Sequence, residues 1–295
     1  MMLLTGASGR VGRRTAELLA RNRMPLRLMT RTPEKAPHLA EVEIVHGDFA
    51  EPDTLEAAFD GIDVALIISG SAQPGMRALH HRNAFLAAAR SPVRQVIYLS
   101  LQGSGAQSKF AYSRDHYESE QFLSDAGLPS FTILRNAFYM DMLPEFAGAD
   151  GAVRDPLGQG RAAFISREDV ARTAAAAMLS PPGGVHDVTG PEALSVAEAV
   201  RRLSLLTGVP LRCEHEGSGS AQGGRTGLGT EEWRADLYTG WFAAIAAGEL
   251  ERVSPTVKRL TGIDPMTFEG YFSAFPEALG PLHLPPSVRA RAAQP

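Results

Sequence analysis

Short apolar runs alternate with helical segments from the first residue to about residue 190. Glycine, proline or polar residues bound each run, as they bound buried strands, and the segments between carry apolar residues at helical spacing. Strands that alternate with helices predict a parallel sheet covered by helices on both faces, a doubly wound α/β fold. The predicted strands are 1–4, 26–29, 42–45, 64–68, 95–99, 131–134 and 185–188, and the predicted helices are 13–19, 52–59, 76–90, 113–125 and 170–179.

Beyond residue 135 the regular alternation weakens. Ser166 stands before an alanine-rich run with Asp169 in its first turn, the pattern of a capped helix start, and Gly208 follows another helical run as its stop. The glycine-rich segment 217–229 is either a connector or a mobile flap over a site. Two further helices are predicted at 195–207 and 231–248.

This organisation predicts a Rossmann-type domain with a smaller, mostly helical substrate lobe. The nucleotide-binding domain comprises 1–136 and 161–190, and the lobe comprises 137–160 and 191–275. A tail, 276–295, follows and is expected to be poorly ordered at its end.

The chain opens with the layout of a dinucleotide-binding site. A strand runs into Gly6, Gly9 and Gly12, and a helical sequence follows. Gly6 lets the chain turn off the strand, Gly9 lets the backbone approach a pyrophosphate, and Gly12 lets the helix pack closely. Amides at the helix start, with the positive end of its dipole, hold the phosphates; the alternative is a glycine-rich turn without a ligand. The loop also includes Thr5, Ala7, Ser8, Arg10 and Val11.

The end of the second strand distinguishes the two nicotinamide nucleotides. An NAD site places an acidic residue there to bind the ribose 2′-hydroxyl, but this chain has Arg31, with Lys35 or Arg10 as support. A guanidinium pairs well with a 2′-phosphate, so the sequence favours NADPH over NADH; the alternative is a solvated basic loop. Asp48, after the third strand, either accepts from the adenine amino group or forms an ordinary turn.

Composition and charge narrow the class of protein. The formal charge is −4 among 295 residues, and Lys and Arg are scattered, which argues against nucleic acid as a partner. No apolar run approaches transmembrane length, no signal peptide is visible, and the single Cys213 excludes an intrachain disulfide, so we expect a cytoplasmic protein. His38, His80 and His81 lack metal-ligand spacing, and no metal site is predicted.

Several motifs in the same order resemble the NmrA-like atypical short-chain dehydrogenase/reductases, closest to the bacterial NADPH-dependent quinone oxidoreductase and triphenylmethane dye reductase group. The resemblance covers almost the whole chain and implies a Rossmann-type fold, NADP(H) as cofactor and a site at the strand ends. The motifs are residues 5–12, Thr30-Arg31, His46-Gly47-Asp48-Phe49, 134–139, 166–171 and 253–262. The candidate cofactor residues at strand ends or nearby include Phe49, Ser69, Gly70, Ser100 and Lys109.

The usual Tyr-x-x-x-Lys dyad of short-chain dehydrogenases is missing from the helix that should carry it. That helix has Tyr112, His116 and Glu120 at intervals of four, which share one helix face. The resemblance implies that His116 and Glu120 replace the dyad, with Glu120 orienting His116; the alternative is a surface pair that only supports the helix. Tyr139 joins them as a candidate catalytic residue. Phe138, Tyr139 and Met142 either wall a pocket for a flat acceptor or form the core of the lobe.

The sequence is compatible with two functions. The first is an NADPH-dependent oxidoreductase that transfers hydride to quinones or similar conjugated acceptors, which need no phenolate relay. The second is a non-catalytic redox sensor of the NmrA type that binds NADP(H) and acts through a protein partner. A nucleotide-sugar epimerase is disfavoured because the Tyr-x-x-x-Lys is absent. The expected partner of the first function is a small conjugated acceptor, and assembly is open, with a homodimer as one alternative.

Overall fold

A computed structural model describes residues 1–215, 232–280 and 282. Its main sheet has seven parallel strands in the order β3-β2-β1-β4-β5-β6-β8, and a second sheet pairs β7 with β9 in parallel. The elements are β1 Met2–Thr5, α1 Arg10–Ala20, β2 Leu26–Thr30, β3 Val42–His46, α2 Leu55–Phe59, β4 Val64–Ile68, α3 Met76–Ala89, β5 Gln95–Leu101, α4 Ala111–Asp125, β6 Phe131–Asn136, β7 Ala152–Arg154, α5 Arg167–Leu179, β8 Gly184–Val188, α6 Val196–Thr207, β9 Arg212–Glu214, α7 Glu232–Ala246, α8 Thr256–Thr261 and α9 Phe268–Ala274.

The predicted α/β fold with a parallel sheet is confirmed, and all seven predicted strands of the main sheet are present. The strand order reverses between β1 and β4, where a crevice opens at the carboxyl edge of the sheet. The predicted helix 52–59 is divided into a 3₁₀ turn, Pro52–Thr54, and the short helix α2. The short β7 and β9 and the helices α8 and α9 have no counterpart in the predicted elements.

Local sequence signals explain several helix ends. Ser166 caps α5 by accepting from the Asp169 amide at 2.9 Å, as predicted. Ser195 caps α6 in a reciprocal capping box with Glu198. Gly208 ends α6 with φ +67°, a left-handed conformation that glycine adopts without a steric cost.

Three apolar clusters stabilise the described part of the chain. Two of them cover the opposite faces of the main sheet; one includes Leu4, Leu28 and Leu66, and the other includes Leu3 and Tyr98. The third is rich in aromatic rings and packs beside the carboxyl edge of the sheet; its rings include Phe138, Phe146, Phe164, Tyr238, Trp241, Phe242, Phe268 and Phe272. This placement puts an aromatic wall next to the crevice. The division into two domains remains a prediction, and 217–229 with most of the tail lies outside the described residues.

Within the described ranges, none of the helices has the length and apolar character that crossing a bilayer requires.

Candidate functional site: a cleft along the carboxyl edge of the sheet

The glycine loop connects β1 to α1 with its backbone groups open to a ligand. Gly6 has φ +66° and turns the chain, and Gly9 is the N-cap of α1 with no side-chain cap. Because the helix begins at Arg10, the amides of its first residues have no acceptor within the helix. The loop is therefore a place where anionic oxygens can be bound by backbone amides.

Gly12 is required by packing within the loop itself. A Cβ atom at Gly12 would lie 2.2 Å from the Gly6 carbonyl oxygen and 2.9 Å from its carbon. At Gly9 a Cβ would lie 3.3 Å from the same oxygen, a far milder contact. The structure therefore places Gly12 against the Gly6 turn and leaves Gly9 facing the crevice side of the loop. Thr5 joins the loop to β4, because its hydroxyl oxygen accepts from the Ile68 amide at 3.0 Å.

A cleft of about 230 Å³ lies over this loop and the ends of β2 and β3. Ser8 and Thr30 meet there with their hydroxyl oxygens 2.9 Å apart. Arg31 is exposed at its edge and has no hydrogen bond or ion pair with any described residue. The predicted loop and strand-end residues brought together in its lining are Gly6, Ser8, Gly9, Arg31, Asp48, Phe49, Ser69 and Gly70.

The residues predicted to support Arg31 lie elsewhere. Arg10 turns away from this cleft and donates to Asp141 at 2.7 Å, so that support for Arg31 from Arg10 is contradicted. Lys35 is exposed and does not line the cleft, although its carbonyl accepts from Arg13 at 2.6 Å. Asp48 accepts from the Ala50 amide at 2.9 Å, which is the turn-forming alternative, and it still borders the cleft.

A larger cleft of about 500 Å³ continues from the first and shares Ser69, Gly70 and Ser71 with it. Aromatic side chains form much of its lining, among them Phe110, Tyr112, Phe138, Tyr139, Phe146, Trp233, Tyr238 and Trp241. Phe138 is 5% exposed and its ring lies 4.8 Å from that of Trp241, so it serves both the core and the cleft wall. Met142 also lines the cleft. These residues therefore form part of the aromatic core and also the wall of the cleft, so both predicted roles apply.

Glu120 does not orient His116, so that part of the interpretation is wrong. The Glu120 carboxylate accepts from the Ser100 hydroxyl at 2.5 Å and from both nitrogens of one edge of Arg135. Hydrogen bonding to Glu120 raises the pKa of Arg135, so this guanidinium stays charged. The two residues do share a helix face, but Glu120 reaches the ends of β5 and β6, whereas His116 reaches Tyr98 within β5.

His116 instead belongs to a buried polar network, whose hydrogen bonds determine its tautomer. Arg77 Nη2 lies 3.2 Å from His116 Nε2, and a guanidinium only donates, so Nε2 accepts. The Nδ1–H of a neutral His116 then donates to the Tyr98 hydroxyl at 2.8 Å. Burial, with the Arg77 charge, lowers the pKa of His116 well below its usual value. His116 is therefore neutral, and neither ring nitrogen of this tautomer presents a proton to the cleft.

His81 repeats this arrangement on the other side of Tyr98. The Gly70 amide donates to His81 Nε2 at 3.3 Å, so Nδ1 of the neutral ring carries the proton. That nitrogen lies 2.9 Å from Ser119 Oγ and 3.0 Å from the Tyr98 oxygen. Burial lowers the pKa of His81 and raises that of Tyr98. The sequence predicts only that His81 is not part of a metal site, and the predicted site residues do not include Tyr98 or Arg77.

Tyr139 and Lys109 stay candidates with different surroundings. Tyr139 lines the larger cleft, Arg167 Cζ lies 4.0 Å from its ring centroid, and burial raises its pKa. Its phenol is therefore a poor proton donor at neutral pH. Lys109 is exposed, its amide donates to Glu249 at 3.0 Å, and its side chain is not part of the cleft lining.

Three buried polar atoms in the lining of the larger cleft have no hydrogen-bond partner among the residues that the structure describes. They are Asn136 Oδ1, Trp233 Nε1 and Trp241 Nε1. Unsatisfied buried groups of this kind cost about 1–3 kcal/mol each, and a ligand that pairs with them recovers that cost. An acceptor and two donors in one cleft indicate a ligand with both kinds of polar group.

A second cluster of chemically active side chains lies away from the cleft. Asp155, Cys213 and His215 bring their ligand-type atoms within 4.8 Å of one another. Asp155 Oδ1 already accepts from the amides of Leu157 and Gly158. Burial raises the pKa of Cys213 to about 11, which keeps the thiol protonated and passive.

Comparison with known proteins places this geometry among nucleotide-binding enzymes. A family model described as NAD(P)H-binding matches residues 6–181. The NAD(P)H azoreductase of Xenophilus azovorans is 30% identical over 290 residues, which cover 95% of this chain and 99% of that protein.

Solved structures agree with this similarity. A nucleoside-diphosphate-sugar epimerase of Staphylococcus aureus has a TM-score of 0.83 at 25% identity, covering 92% of this chain and 98% of that one. The NADPH-dependent quinone oxidoreductase of Escherichia coli, complexed with NADPH, has a TM-score of 0.82 at 25% identity, covering 91% and 97%.

Proposed function

The chain belongs to the NAD(P)H-binding family and is an NAD(P)H-dependent oxidoreductase, and we propose that it uses NADPH to reduce quinones or similar conjugated acceptors. The observation that carries the proposal is one continuous cleft at the carboxyl edge of the sheet. One part lies over a glycine loop suited to phosphates, and the other has aromatic walls. The first part suits the nucleotide, and the second suits a conjugated acceptor.

The chain's own residues fit the cofactor. Gly6 and Gly12 hold the loop against α1 so closely that a Cβ at Gly12 would collide with the turn, while Gly9 leaves the backbone open to a diphosphate. The amides at the start of α1 donate to anionic oxygens. When bound, NADPH supplies the hydride.

Arg31 is the residue that we expect to select NADPH over NADH. It lines the nucleotide cleft, follows Thr30 at the end of β2, and has no partner among the described residues. A free guanidinium at this place would pair with the 2′-phosphate in a bidentate manner. No acidic side chain stands at the strand end to bind a 2′-hydroxyl in its place.

The aromatic half of the cleft suits a flat acceptor. Phe138, Tyr139 and Trp241 provide apolar faces, and the cleft of about 500 Å³ has room for a ring system. Hydride transfer to a conjugated acceptor depends mainly on holding the two reactants in contact in a dry cleft. Since His116 is neutral with its proton turned inward, the final proton comes from water. Epimerase chemistry is not proposed, because α4 lacks the Tyr-x-x-x-Lys dyad.

Steady-state assays test this function directly. Purified protein is incubated with NADPH and a small quinone while the absorbance of the reduced cofactor is followed. Saturable, enzyme-dependent oxidation supports the proposal. Tight NADPH binding without oxidation of any conjugated acceptor would contradict it and would indicate the redox sensor instead.

The composition supports a proposal about where the protein acts and what it does not bind. We propose that it acts in the cytoplasm, where one cysteine poses no oxidative risk, and that nucleic acid is not a partner, since the formal charge is −4. A homodimer stays a proposal for size-exclusion chromatography with light scattering to test.

A further inference from the structure

Arg77 is a buried cation that forms no ion pair with any carboxylate of the described residues, and it lines the acceptor half of the cleft. We propose that Arg77 binds the acceptor oxygen on which negative charge develops, and thereby selects quinone-type acceptors over cationic dyes. The inference rests on the proposed reductase function and assigns the polar recognition within it.

The guanidinium is held from three sides. Its Nε donates to the Gly70 carbonyl at 3.0 Å, and its Nη2 donates to His116 Nε2 at 3.2 Å. Its Cζ lies 3.8 Å from the centroid of the Tyr112 ring, a cation–π contact. Of the five N–H groups of an arginine, described acceptors take only two, and Nη1 has none. The guanidinium of Arg77 is therefore fixed in place, and its remaining N–H groups are available to donate to a ligand.

The described residues offset the cost of burying this charge only in part. Arg77 is 6% exposed, and none of the described carboxylates lies within ion-pair distance of it. Asp115 is the acidic residue that acts on its charge, but both Asp115 oxygens accept from the Gly75 amide, at 2.9 and 3.1 Å. Burial lowers the pKa of Arg77, yet a guanidinium stays protonated at neutral pH. A buried charge of this kind is costly unless a ligand pairs with it.

The acceptor, rather than the cofactor phosphates, fits this partner. Arg77 lines the larger cleft and is absent from the lining of the cleft over the glycine loop. The phosphates already have the amides of the loop and of α1. The unpaired Asn136 Oδ1 and Trp241 Nε1 line the same half as Arg77, so the acceptor half contains polar groups that await a ligand.

The charge balance of quinone reduction explains why a cation helps. One quinone oxygen forms a new bond to hydrogen as the C4–H bond of the reduced nicotinamide breaks, and the displaced electron pair of the quinone collects on its other oxygen. The quinone is reduced to a hydroquinone monoanion, NADPH is oxidised to NADP⁺, and a proton from water completes the product. A fixed cation beside that oxygen stabilises the charge as it forms. A cationic triphenylmethane dye gains the same hydride, becomes neutral, and leaves no oxyanion to stabilise.

The histidine–tyrosine network makes Arg77 a pre-positioned donor. His116 accepts from Arg77 and donates to Tyr98, whose oxygen also lies 3.0 Å from His81 Nδ1. A protonated His116 could not accept from Arg77, so its neutral state keeps the guanidinium in place. His116 and Tyr98 are positioning residues that act through Arg77.

The experiment compares two acceptors in wild type and the Arg77→Met variant. The acceptors are 1,4-benzoquinone and the cationic dye malachite green, each assayed with NADPH. We expect Arg77→Met to lower kcat/KM for benzoquinone about 100-fold, the size found when one oxyanion donor is lost, while the value for the dye is unchanged or rises. Arg77→Lys, which keeps the charge, should recover part of the quinone activity without raising the dye activity above the wild-type value. Equal losses with both acceptors would overturn the proposal and make Arg77 a structural residue.

Two controls keep the result interpretable. Tyr98→Phe leaves Arg77 intact but frees His116, and it should show a smaller loss for the quinone only; an equal loss for the dye would count against the network. In wild type, without any substitution, 4-nitrophenolate should inhibit more strongly than nitrobenzene, and equal inhibition would overturn oxyanion recognition. If wild type binds NADPH but reduces neither acceptor, the proposed function itself fails. Wild-type turnover with an unaltered acceptor ratio in Arg77→Met overturns only this inference.

Discussion

Substitution of Gly12 by alanine tests the closeness of the glycine loop to helix α1. The added Cβ would lie 2.2 Å from the Gly6 carbonyl oxygen, whereas ordinary van der Waals contact begins at about 3.4 Å, so the helix start must retreat by about 1.2 Å. Over-packing of this kind costs about 1–3 kcal/mol of unfolding free energy, or about 2–4 °C of Tm for each kcal/mol. The same retreat moves the helix amides away from the phosphates, and a misplacement of about 1 Å costs roughly 100-fold in rate where reacting groups must be aligned, which is the scale that we take for the lost amide contacts. We therefore expect Gly12→Ala to weaken NADPH binding about 100-fold.

The assay is a titration of NADPH fluorescence with the protein kept well below its Tm. Gly105→Ala is the matched control, because a Cβ there meets only the Gly103 carbonyl oxygen at 3.9 Å and φ is not positive. The control should bind and melt like wild type. Circular dichroism separates loss of fold from loss of binding. A folded Gly12→Ala protein with wild-type affinity for NADPH would refute the packing argument.

Three further predictions concern the nucleotide half and the buried histidines. Gly9→Ala should lower Tm much less than Gly12→Ala, because its Cβ would lie 3.3 Å from the Gly6 carbonyl oxygen rather than 2.2 Å, yet it should weaken NADPH binding in titration; unchanged affinity would mean that the diphosphate does not bind at Gly9. Arg31→Ala should weaken NADPH by about 10-fold or more and leave NADH unchanged, with Lys35→Ala as the silent control; equal loss for both nucleotides would exclude a phosphate contact. His81 and His116 stay neutral when folded but bind protons near pH 6.5 when unfolded, so stability is full above that pH and falls below it. The loss should be about 1 kcal/mol per pH unit for each residue in urea melts, and a flat profile between pH 7 and 5 would contradict their burial.

The main sheet could be predicted because buried parallel strands are continuous apolar runs. The run 64–68 needed only its length and flanking residues to be recognised, whereas the edge strand β8 includes His186 and Asp187 and is apolar only in part. Strands β7 and β9 span three residues each, which is too short to carry a periodic signal. Helix α5 could be predicted at its start because Ser166 caps it through a contact only three residues away.

The nucleotide half of the site consists of residues that lie near one another in the sequence, whereas the contacts of the acceptor half join residues that lie far apart in the sequence. The three glycines follow the first strand and Arg31 follows the second, so the sequence alone predicts that they belong to one site. The partners of His116 depend on which strand lies beneath α4, and no spacing within the helix reveals that Glu120 meets Ser100 instead.

The sequence does carry a signal for Arg77. In α3 it shares a helical face with the buried His81, Ala84 and Ala88, at intervals of about one turn. An arginine on the buried face of an amphipathic helix is costly and therefore points to a function. Tyr98, within a buried strand, gives no such signal, because an aromatic residue is expected there.

The central claim is that one cleft holds a reduced nicotinamide nucleotide beside a conjugated acceptor. The most direct measurement is a single-turnover reaction in which protein saturated with NADPH is mixed with 1,4-benzoquinone in a stopped-flow spectrophotometer. The account predicts a rapid loss of reduced-cofactor absorbance, equal in amount to the bound NADPH, with a rate that saturates as the quinone concentration rises. A bound cofactor that loses its hydride no faster than free NADPH does would contradict it.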